Sequence, residues 1–216
     1  MTFDAITVVF ALVGSAIGFA VDALAHRWPE HIEGYTARAR FDWCTAVVVL
    51  TGLASFAVLG SRFGHDGTAL AVYVPTFAVL LTLLATDIDQ RLLPDLLTLP
   101  LIAFAALVLI TGYSPALAGK DLALISGLAA AVVFPAALLI LDRIIGGDLG
   151  FGDVKLAVAL GLLFGLSAYL YGLLLASIGF AVVLVVLMVT RRLGLKSAVP
   201  FGPVLIFAAF FAALTT

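Results

Sequence analysis

Long apolar segments recur from one end of the chain to the other, and they constrain its fold more than any other feature. A helix needs about 20 mostly apolar residues to cross a bilayer. Of the 216 residues, 64% are hydrophobic and 11% are charged, whereas soluble domains have about 25% charged residues. The sequence therefore predicts an all-α, polytopic membrane helix bundle of about eight transmembrane helices, at 5–25, 43–60, 68–86, 96–113, 122–141, 154–170, 172–190 and 199–215.

The polar connections between these segments are too short to fold as separate soluble domains. The longest polar stretch, residues 26–42, predicts an ordered cytoplasmic loop or an interfacial helix. We therefore expect residues 1–216 to form a single integral membrane domain. The net charge of −2 argues against nucleic acid as a partner.

The distribution of Lys and Arg predicts the orientation of the chain. With eight spans and the N-terminus outside, nine of the 11 basic residues fall on one side, and only Arg62 and Lys120 fall on the other. The positive-inside rule assigns the basic side to the cytoplasm. The third span then ends, and the sixth begins, at the cytoplasmic face. We therefore expect Asp87 and Asp153 to lie at the same depth, where they can meet.

A pair formed by Asp87 and Asp153 has chemistry that neither residue has alone. Two carboxylates a few ångströms apart do not both ionise easily, so one keeps a proton near neutral pH. The ionised member can activate water while the protonated one polarises a carbonyl. Gly150 and Gly152 permit positive φ and the close approach of an extended peptide. The same pattern is also typical of a turn before a helix, with Asp153 as its N-cap.

The residues that follow Asp87 are expected to differ in their surroundings. Asp89 points about 200° away from Asp87 on a helix, so the two cannot face the same partner. We expect Asp89 to face water or lipid headgroups. Arg91 lies one turn after Asp87 and either pairs with it or is an ordinary interfacial arginine. Pro94 is expected to end the helix.

Four stretches, in this order along the chain, resemble the type IV prepilin peptidase family of polytopic aspartic proteases with a G-x-G-D motif. They are "GSAIGFAVDALAHRWP", "TDIDQRLLPDLLTLP", "LGFGDVKLAVALG" and "VPFGPVLIFAA". The resemblance implies that Asp87 and Asp153 are the catalytic aspartates. It gives Lys155 a supporting electrostatic role, the alternative being that its side chain extends to the interface. We group Gly150, Gly152, Arg91 and Pro94 with Lys155 as supporting residues.

The chain departs from the family at two places. Many bacterial members bind zinc through two Cys-x-x-Cys pairs after the first span, but here that region is the 26–42 loop and Cys44 is the one cysteine. We expect no metal ion. Larger members also N-methylate the new N-terminus with S-adenosylmethionine. Where an asparagine often follows the first Gly-Ser, this chain has Asp22 nearby, so we expect this cofactor only if methylation is retained. Proteolysis is expected to need no cofactor.

The resemblance implies a prepilin or pseudopilin substrate, which has a basic cytoplasmic leader, then a glycine, then an apolar helix. The loops around the aspartate pair hold six Asp against Arg91, Arg143 and Lys155, a local charge of −3. We expect Asp89, Asp95 and Asp148 to contact the leader while the apolar helix lies between spans in the lipid. The implied location is the inner (cytoplasmic) cell membrane, with the active site facing the cytoplasm.

Three other functions are compatible with the aspartates. A presenilin-like intramembrane protease shares the G-x-G-D motif but pairs it with a tyrosine–aspartate motif, whereas this chain has "TDID". A carboxylate-based ion or proton transporter would place its charges near the bilayer midplane, whereas these lie at one interface. A lipid-headgroup enzyme would use Asp87, Asp89 and Asp153 as magnesium ligands.

Overall fold

The described part of the chain is helical throughout. The computed structural model describes residues 4–28, 42–119, 121–145, 150–190 and 201–215. Within these ranges every regular element is an α-helix, which confirms the all-α prediction. The helices are α1 (Ala5–Ala25), α2 (Trp43–Phe63), α3 (Gly67–Gln90), α4 (Asp95–Thr111), α5 (Ala123–Ile145), α6 (Phe151–Val189) and α7 (Gly202–Leu214).

The helices have the length and composition of membrane spans. Helices α1, α2, α3, α5 and α6 are long and apolar enough to cross a bilayer, while α4 and α7 are apolar but shorter, at 17 and 13 residues. Large side chains such as Leu12 and Ile110 are mostly exposed on the outer faces, as expected where helices meet lipid. The chain is therefore a polytopic helical membrane bundle. The count of eight spans and the outside N-terminus remain predictions.

Helix α6 is interrupted within its length. Its 39 residues would extend about 58 Å if straight, nearly twice the hydrocarbon thickness of about 30 Å. The break is Gly165, with φ 68° and ψ −175°, a backbone conformation that side chains disfavour. The predicted boundary between the sixth and seventh spans, at residue 171, is therefore displaced. We call residues 151–164 the first arm of α6 and residues 166–189 the second arm.

The two arms of α6 run in opposite directions, as their contacts with α5 indicate. In the first arm, Gly161 packs on the backbone of Ala130. At the break, α6 contacts Ser126, one turn earlier in α5. In the second arm, the Tyr169 ring packs edge-on against Phe134, with 4.7 Å between ring centroids. As α6 proceeds, its contacts on α5 therefore move from Ala130 back to Ser126 and then forward to Phe134. The chain thus reverses its direction at Gly165.

Helix α3 lies at the junction of two groups of helices. Helices α1, α2 and α3 pack together, and α6 packs against α4, α5 and α7; α3 also contacts α4 and α7. Buried aromatic rings fill the junction. Tyr73 stacks on Phe164 at 6.0 Å, and Phe77 packs edge-on against Phe210 at 4.7 Å. These contacts join α3 to α6 and α7, the helices around the candidate site.

Candidate functional site

Asp87 lies in the last turn of α3 and is buried, with 5% of its surface exposed. The helix ends three residues later because Arg91 adopts a left-handed conformation, φ 56°. The backbone N–H of Arg91 donates to the carbonyl oxygen of Asp87 at 2.9 Å, which satisfies a carbonyl that the helix leaves unpaired. The end of the helix thus fixes the backbone that carries the Asp87 carboxylate.

Asp153 lies in the first turn of α6 and is 9% exposed. The N-cap of α6 is Gly150, so the alternative prediction that Asp153 is the N-cap is wrong. Asp153 instead occupies the third helical position, and the backbone of Gly150 hydrogen-bonds to its carboxylate. This is the reverse half of a capping box, in which an acidic side chain reaches back to the N-cap N–H. The interaction leaves the second carboxylate oxygen for other partners.

The structure places the two aspartates in one region, since Gly152 beside Asp153 packs on Leu93 in the connection that follows α3, and Asp153 acts electrostatically on Asp87. Asp87 Oδ2 and Asp153 Oδ1 are both buried, and neither has a hydrogen-bond partner among the described residues. Buried carboxylate oxygens without partners are costly in a fold. Such costs are typical of groups that a protein keeps for chemistry.

Gly202, the first residue of α7, lies directly against Asp87. A Cβ at this position would be 2.7 Å from Asp87 Oδ2 and 2.9 Å from its Cγ, closer than non-bonded carbon and oxygen atoms approach. Only a glycine therefore fits here without moving the carboxylate. Sequence analysis did not assign Gly202 to the site, although "VPFGPVLIFAA" contains it; the motif gave no sign that it would meet Asp87.

Gly152 and Gly150, predicted as supporting residues, have different surroundings. A Cβ on Gly152 would be 2.6 Å from Cβ of Leu93, so this glycine lets the α3–α4 connection approach α6. Gly150 is exposed, and a Cβ there would be 3.6 Å from Asp153 Oδ2, an ordinary contact. Neither Gly150 nor Gly152 has the positive φ that the sequence allowed for. The motif therefore requires a glycine at position 152 because Leu93 packs closely against it, and not because the backbone needs an unusual conformation.

Lys155 forms an ion pair with Asp95, which connects α6 to the start of α4. Lys155 Nζ lies 2.6 Å from Asp95 Oδ1, with the two side chains 29% and 59% exposed. Asp95, predicted to contact the substrate leader, is thus paired within the chain.

Pro94 does not end a helix as predicted: it is the N-cap of α4, and the preceding helix has already ended at Gln90. Arg91 is exposed and acts electrostatically on Asp87.

The remaining predicted residues have other surroundings or lie outside the described ranges. Asp89 is half-buried on α3, two residues after Asp87. Asp148 lies outside the described residues. Asp22 is 2% exposed in α1, and the Thr45 hydroxyl donates to its carboxylate at 2.7 Å, which joins α1 to α2. Within the described ranges, no three His, Cys, Asp or Glu side chains gather closely enough to hold a metal ion.

Tyr169 is a second residue that sequence analysis missed. It lies on the second arm of α6, fully buried, and its hydroxyl has no hydrogen-bond partner in the described part of the chain. Its phenol interacts electrostatically with Asp153. Sixteen residues separate the two in sequence, and no periodicity indicates that they are neighbours.

Comparison with known proteins identifies relatives of the chain. Residues 74–187 match the type IV leader peptidase family. The chain is 34% identical over 170 residues to the prepilin leader peptidase/N-methyltransferase of Aeromonas salmonicida, covering 78% of this chain and 56% of that protein. The protein of the same name from Burkholderia pseudomallei is 34% identical over 145 residues, covering 66% and 45%. No solved structure matches the chain. The chain spans about half the length of these curated relatives.

Proposed function

The chain belongs to the type IV leader peptidase family, and from this premise we propose that it is a membrane aspartic endopeptidase that removes the leader peptide of prepilins or pseudopilins. One observation carries the proposal: two buried aspartates, from the end of α3 and the start of α6, lie together with unpartnered oxygens. We also propose that the chain acts as one integral membrane domain, in the inner membrane, with the pair facing the cytoplasm.

The proposed reaction is a direct hydrolysis by water held between Asp87 and Asp153. The ionised aspartate takes a proton from the water as its oxygen attacks the scissile carbonyl carbon. The protonated aspartate gives its proton to the carbonyl oxygen, which forms a tetrahedral diol. The C–N bond then breaks as the leaving nitrogen receives a proton from the aspartate that had acted as base. One diol hydroxyl returns its proton to the other aspartate, which yields the carboxylic acid and restores the pair. The pair exchanges protons as a unit, so we assign no fixed role to either member.

The proposed substrate is a prepilin-like chain with a basic leader, a glycine and an apolar helix. The acidic residues near the pair complement the leader in charge, although Asp95 is partly neutralised by Lys155. Asp89 and Asp148 remain proposed leader contacts. S-adenosylmethionine enters only if methylation is retained. The family relatives are named N-methyltransferases, but Asp22 is engaged by Thr45 between α1 and α2.

The proposal is tested by cleavage of a prepilin-like substrate in reconstituted vesicles. We expect Asp87→Asn and Asp153→Asn each to lower kcat by at least about 10²-fold, because each removes a group that must exchange a proton. Asp89→Asn is the matched control, because it makes the same change two residues away. It should keep the wild-type kcat and raise only KM, since Asp89 is a proposed leader contact. Cleavage by all three variants would exclude the aspartate pair and favour a transport role, which proton flux across the same vesicles would then reveal.

A further inference from the structure

Tyr169 carries a hydroxyl group that the fold does not use. The residue is fully buried, and its hydroxyl oxygen has no hydrogen-bond partner among the described residues. Burying a hydroxyl without a partner costs free energy, whereas a phenylalanine of the same shape would not incur that cost. The hydroxyl therefore calls for an explanation outside the packing of the core.

The reversal of α6 directs this hydroxyl toward the aspartate pair. Sixteen residues of straight helix would place Tyr169 about 24 Å from Asp153, too far for any direct interaction. Along α5, Ser126 contacts the break and Ala130 contacts Gly161, so the direction from residue 126 to 130 leads toward Asp153. Because the chain turns back at Gly165, the Tyr169 ring packs on Phe134, one turn further in that direction, and its phenol interacts electrostatically with Asp153. Asp153 Oδ1 is itself buried and unpartnered within the described ranges. A donor and an acceptor without partners thus lie near each other in the same buried region.

The Tyr169 ring is held in one orientation by its neighbours. Phe134 packs edge-on against it, with ring centroids 4.7 Å apart and an interplanar angle of 84°. Phe134 is itself buried on α5. A ring that is fully enclosed and packed in this way cannot turn its hydroxyl to solvent. The position of the hydroxyl is therefore set by the fold before any substrate arrives.

We propose that Tyr169 is a positioning residue for Asp153, whose hydroxyl donates a hydrogen bond to the Asp153 carboxylate when substrate occupies the pair. The bond forms directly or through one water. It complements the Gly150 backbone, which already binds the carboxylate from the N-cap of α6, so that both carboxylate oxygens are then oriented. Hydrogen bonds in catalytic sites are often long before substrate binds and shorten in the complex. This inference rests on the proposed peptidase function.

Tyr169→Phe tests the inference, because it keeps the ring and removes only the hydroxyl. We expect kcat for cleavage in vesicles to fall about tenfold, as for a lost hydrogen bond to a charged group, with KM unchanged. The pH–rate profile should change shape, whereas a purely structural defect would lower the rate equally at every pH. The midpoint of thermal unfolding in detergent should not fall, because no described protein hydrogen bond is lost.

Tyr73→Phe is the matched control, since Tyr73 is also a buried tyrosine, 1% exposed, but packs against Phe63, Phe77 and Phe164 away from the pair. It should retain the wild-type kcat. A Tyr169→Phe enzyme with wild-type kcat at every pH, measured beside an inactive Asp153→Asn enzyme, would overturn the inference and leave the peptidase proposal standing. If Asp153→Asn also cut normally, the peptidase proposal itself would fail.

Discussion

Gly202 leaves open the space that the Asp87 carboxylate occupies. A methyl group at this position would lie within 2.7 to 3.2 Å of all three carboxylate atoms. Asp87 is anchored by the end of α3, and Gly202 by the start of α7. Relief of the clash would therefore move the carboxylate, the helix end, or both. A residue without chemistry of its own thus controls the geometry of the acid pair.

We expect Gly202→Ala to lower kcat at least tenfold, because displacement of a reacting group by about 1 Å is costly in catalysis. Cleavage in reconstituted vesicles measures this effect. Gly179→Ala is the control, because nothing lies within 4 Å of a Cβ built there, and it should retain full activity. Wild-type activity in Gly202→Ala would show that the site tolerates the displaced carboxylate.

Neutralising Asp95 and Asp148 should raise KM for a basic leader more than it lowers kcat. Asp95→Asn also releases Lys155 from its ion pair, which adds positive charge where the leader is proposed to bind. The exposed pair contributes only about 0–1 kcal/mol to folding, so stability should change little. The measurement is KM for two substrates, one with a basic leader and one with its lysines replaced by glutamine.

Asp121→Asn serves as the charge control for this double variant. Asp121 is exposed and lies just before α5, on the side that the predicted topology places outside. It should leave KM for both substrates unchanged. If the double variant binds the basic leader as tightly as the wild type does, the acidic residues do not recruit the leader.

The proximity of Asp87 and Asp153 was predictable from the sequence, whereas two of their neighbours were not. Counting spans and basic residues predicted both aspartates at one face, and in the structure Asp153 acts electrostatically on Asp87. The contact of Gly202 with Asp87 depends on how α7 packs against α3. The nearness of Tyr169 depends on a reversal within α6. Both are tertiary facts that local pattern does not contain.

At the scale of single helices, the break in α6 is the element that most affects the site. Gly165 has positive φ, and a Cβ there would lie 2.6 Å from Leu117 Cδ2 and 2.7 Å from Ser126 Oγ. The Ser126 hydroxyl also accepts a hydrogen bond from the N–H of Leu166 at 3.0 Å. The reversal of α6 therefore depends on the conformation of Gly165 and on the hydrogen bond from Leu166 to Ser126 of α5.

We expect Gly165→Ala to lower the free energy of unfolding by about 1–3 kcal/mol, because a side chain at φ 68° and ψ −175° is strained. Thermal unfolding in detergent measures the change. Gly179→Ala, on the second arm and free of contacts, should leave stability unchanged or slightly raise it, since alanine favours helix. Equal unfolding midpoints for the two variants would mean that the reversal does not depend on the glycine.

The helices themselves were largely predictable, because long apolar runs leave few alternatives in a membrane. The predicted spans at 5–25 and 43–60 match α1 and α2 closely. The division of α6 was harder to locate. The stretch 168–172, "AYLYG", contains a glycine, but Gly172 packs on the backbone of α7 at Ala208 within a continuous helix. Gly165 interrupts α6, whereas Gly172 lies within the helix and packs against α7. The sequence alone did not distinguish these two roles.

At the scale of the whole molecule, the predicted orientation can be tested by labelling from each side. Cys44 is the one cysteine and is 3% exposed, so a Cys44→Ala chain accepts single new cysteines. We expect His65→Cys to react with an impermeant thiol reagent added outside, and Arg143→Cys to react only after the membrane is permeabilised. The distribution of loop charge predicts that these residues lie on opposite sides of the membrane. Both residues are exposed. Labelling of both from one side would overturn the eight-span topology.

The acid pair is divided between the two groups of helices. Asp87 belongs to the group formed by α1, α2 and α3, and Asp153 to the group that α6 forms with α4, α5 and α7. Contacts of α3 with α4 and α7, and the Tyr73–Phe164 stack, connect the groups. Neither group contains a complete pair. The chemistry proposed here therefore depends on how the groups pack against each other.

The contact between Gly202 and Asp87 has a consequence for the way the protein is made. A ribosome delivers α3 to the membrane before α7, because Asp87 precedes Gly202 by 115 residues. Until that helix is inserted, Asp87 lacks the neighbour that confines its carboxylate. A nascent chain that still lacks α7 would thus hold the Asp87 carboxylate without this constraint. For the proposed peptidase, the order of synthesis would thus delay full activity until α7 is in place.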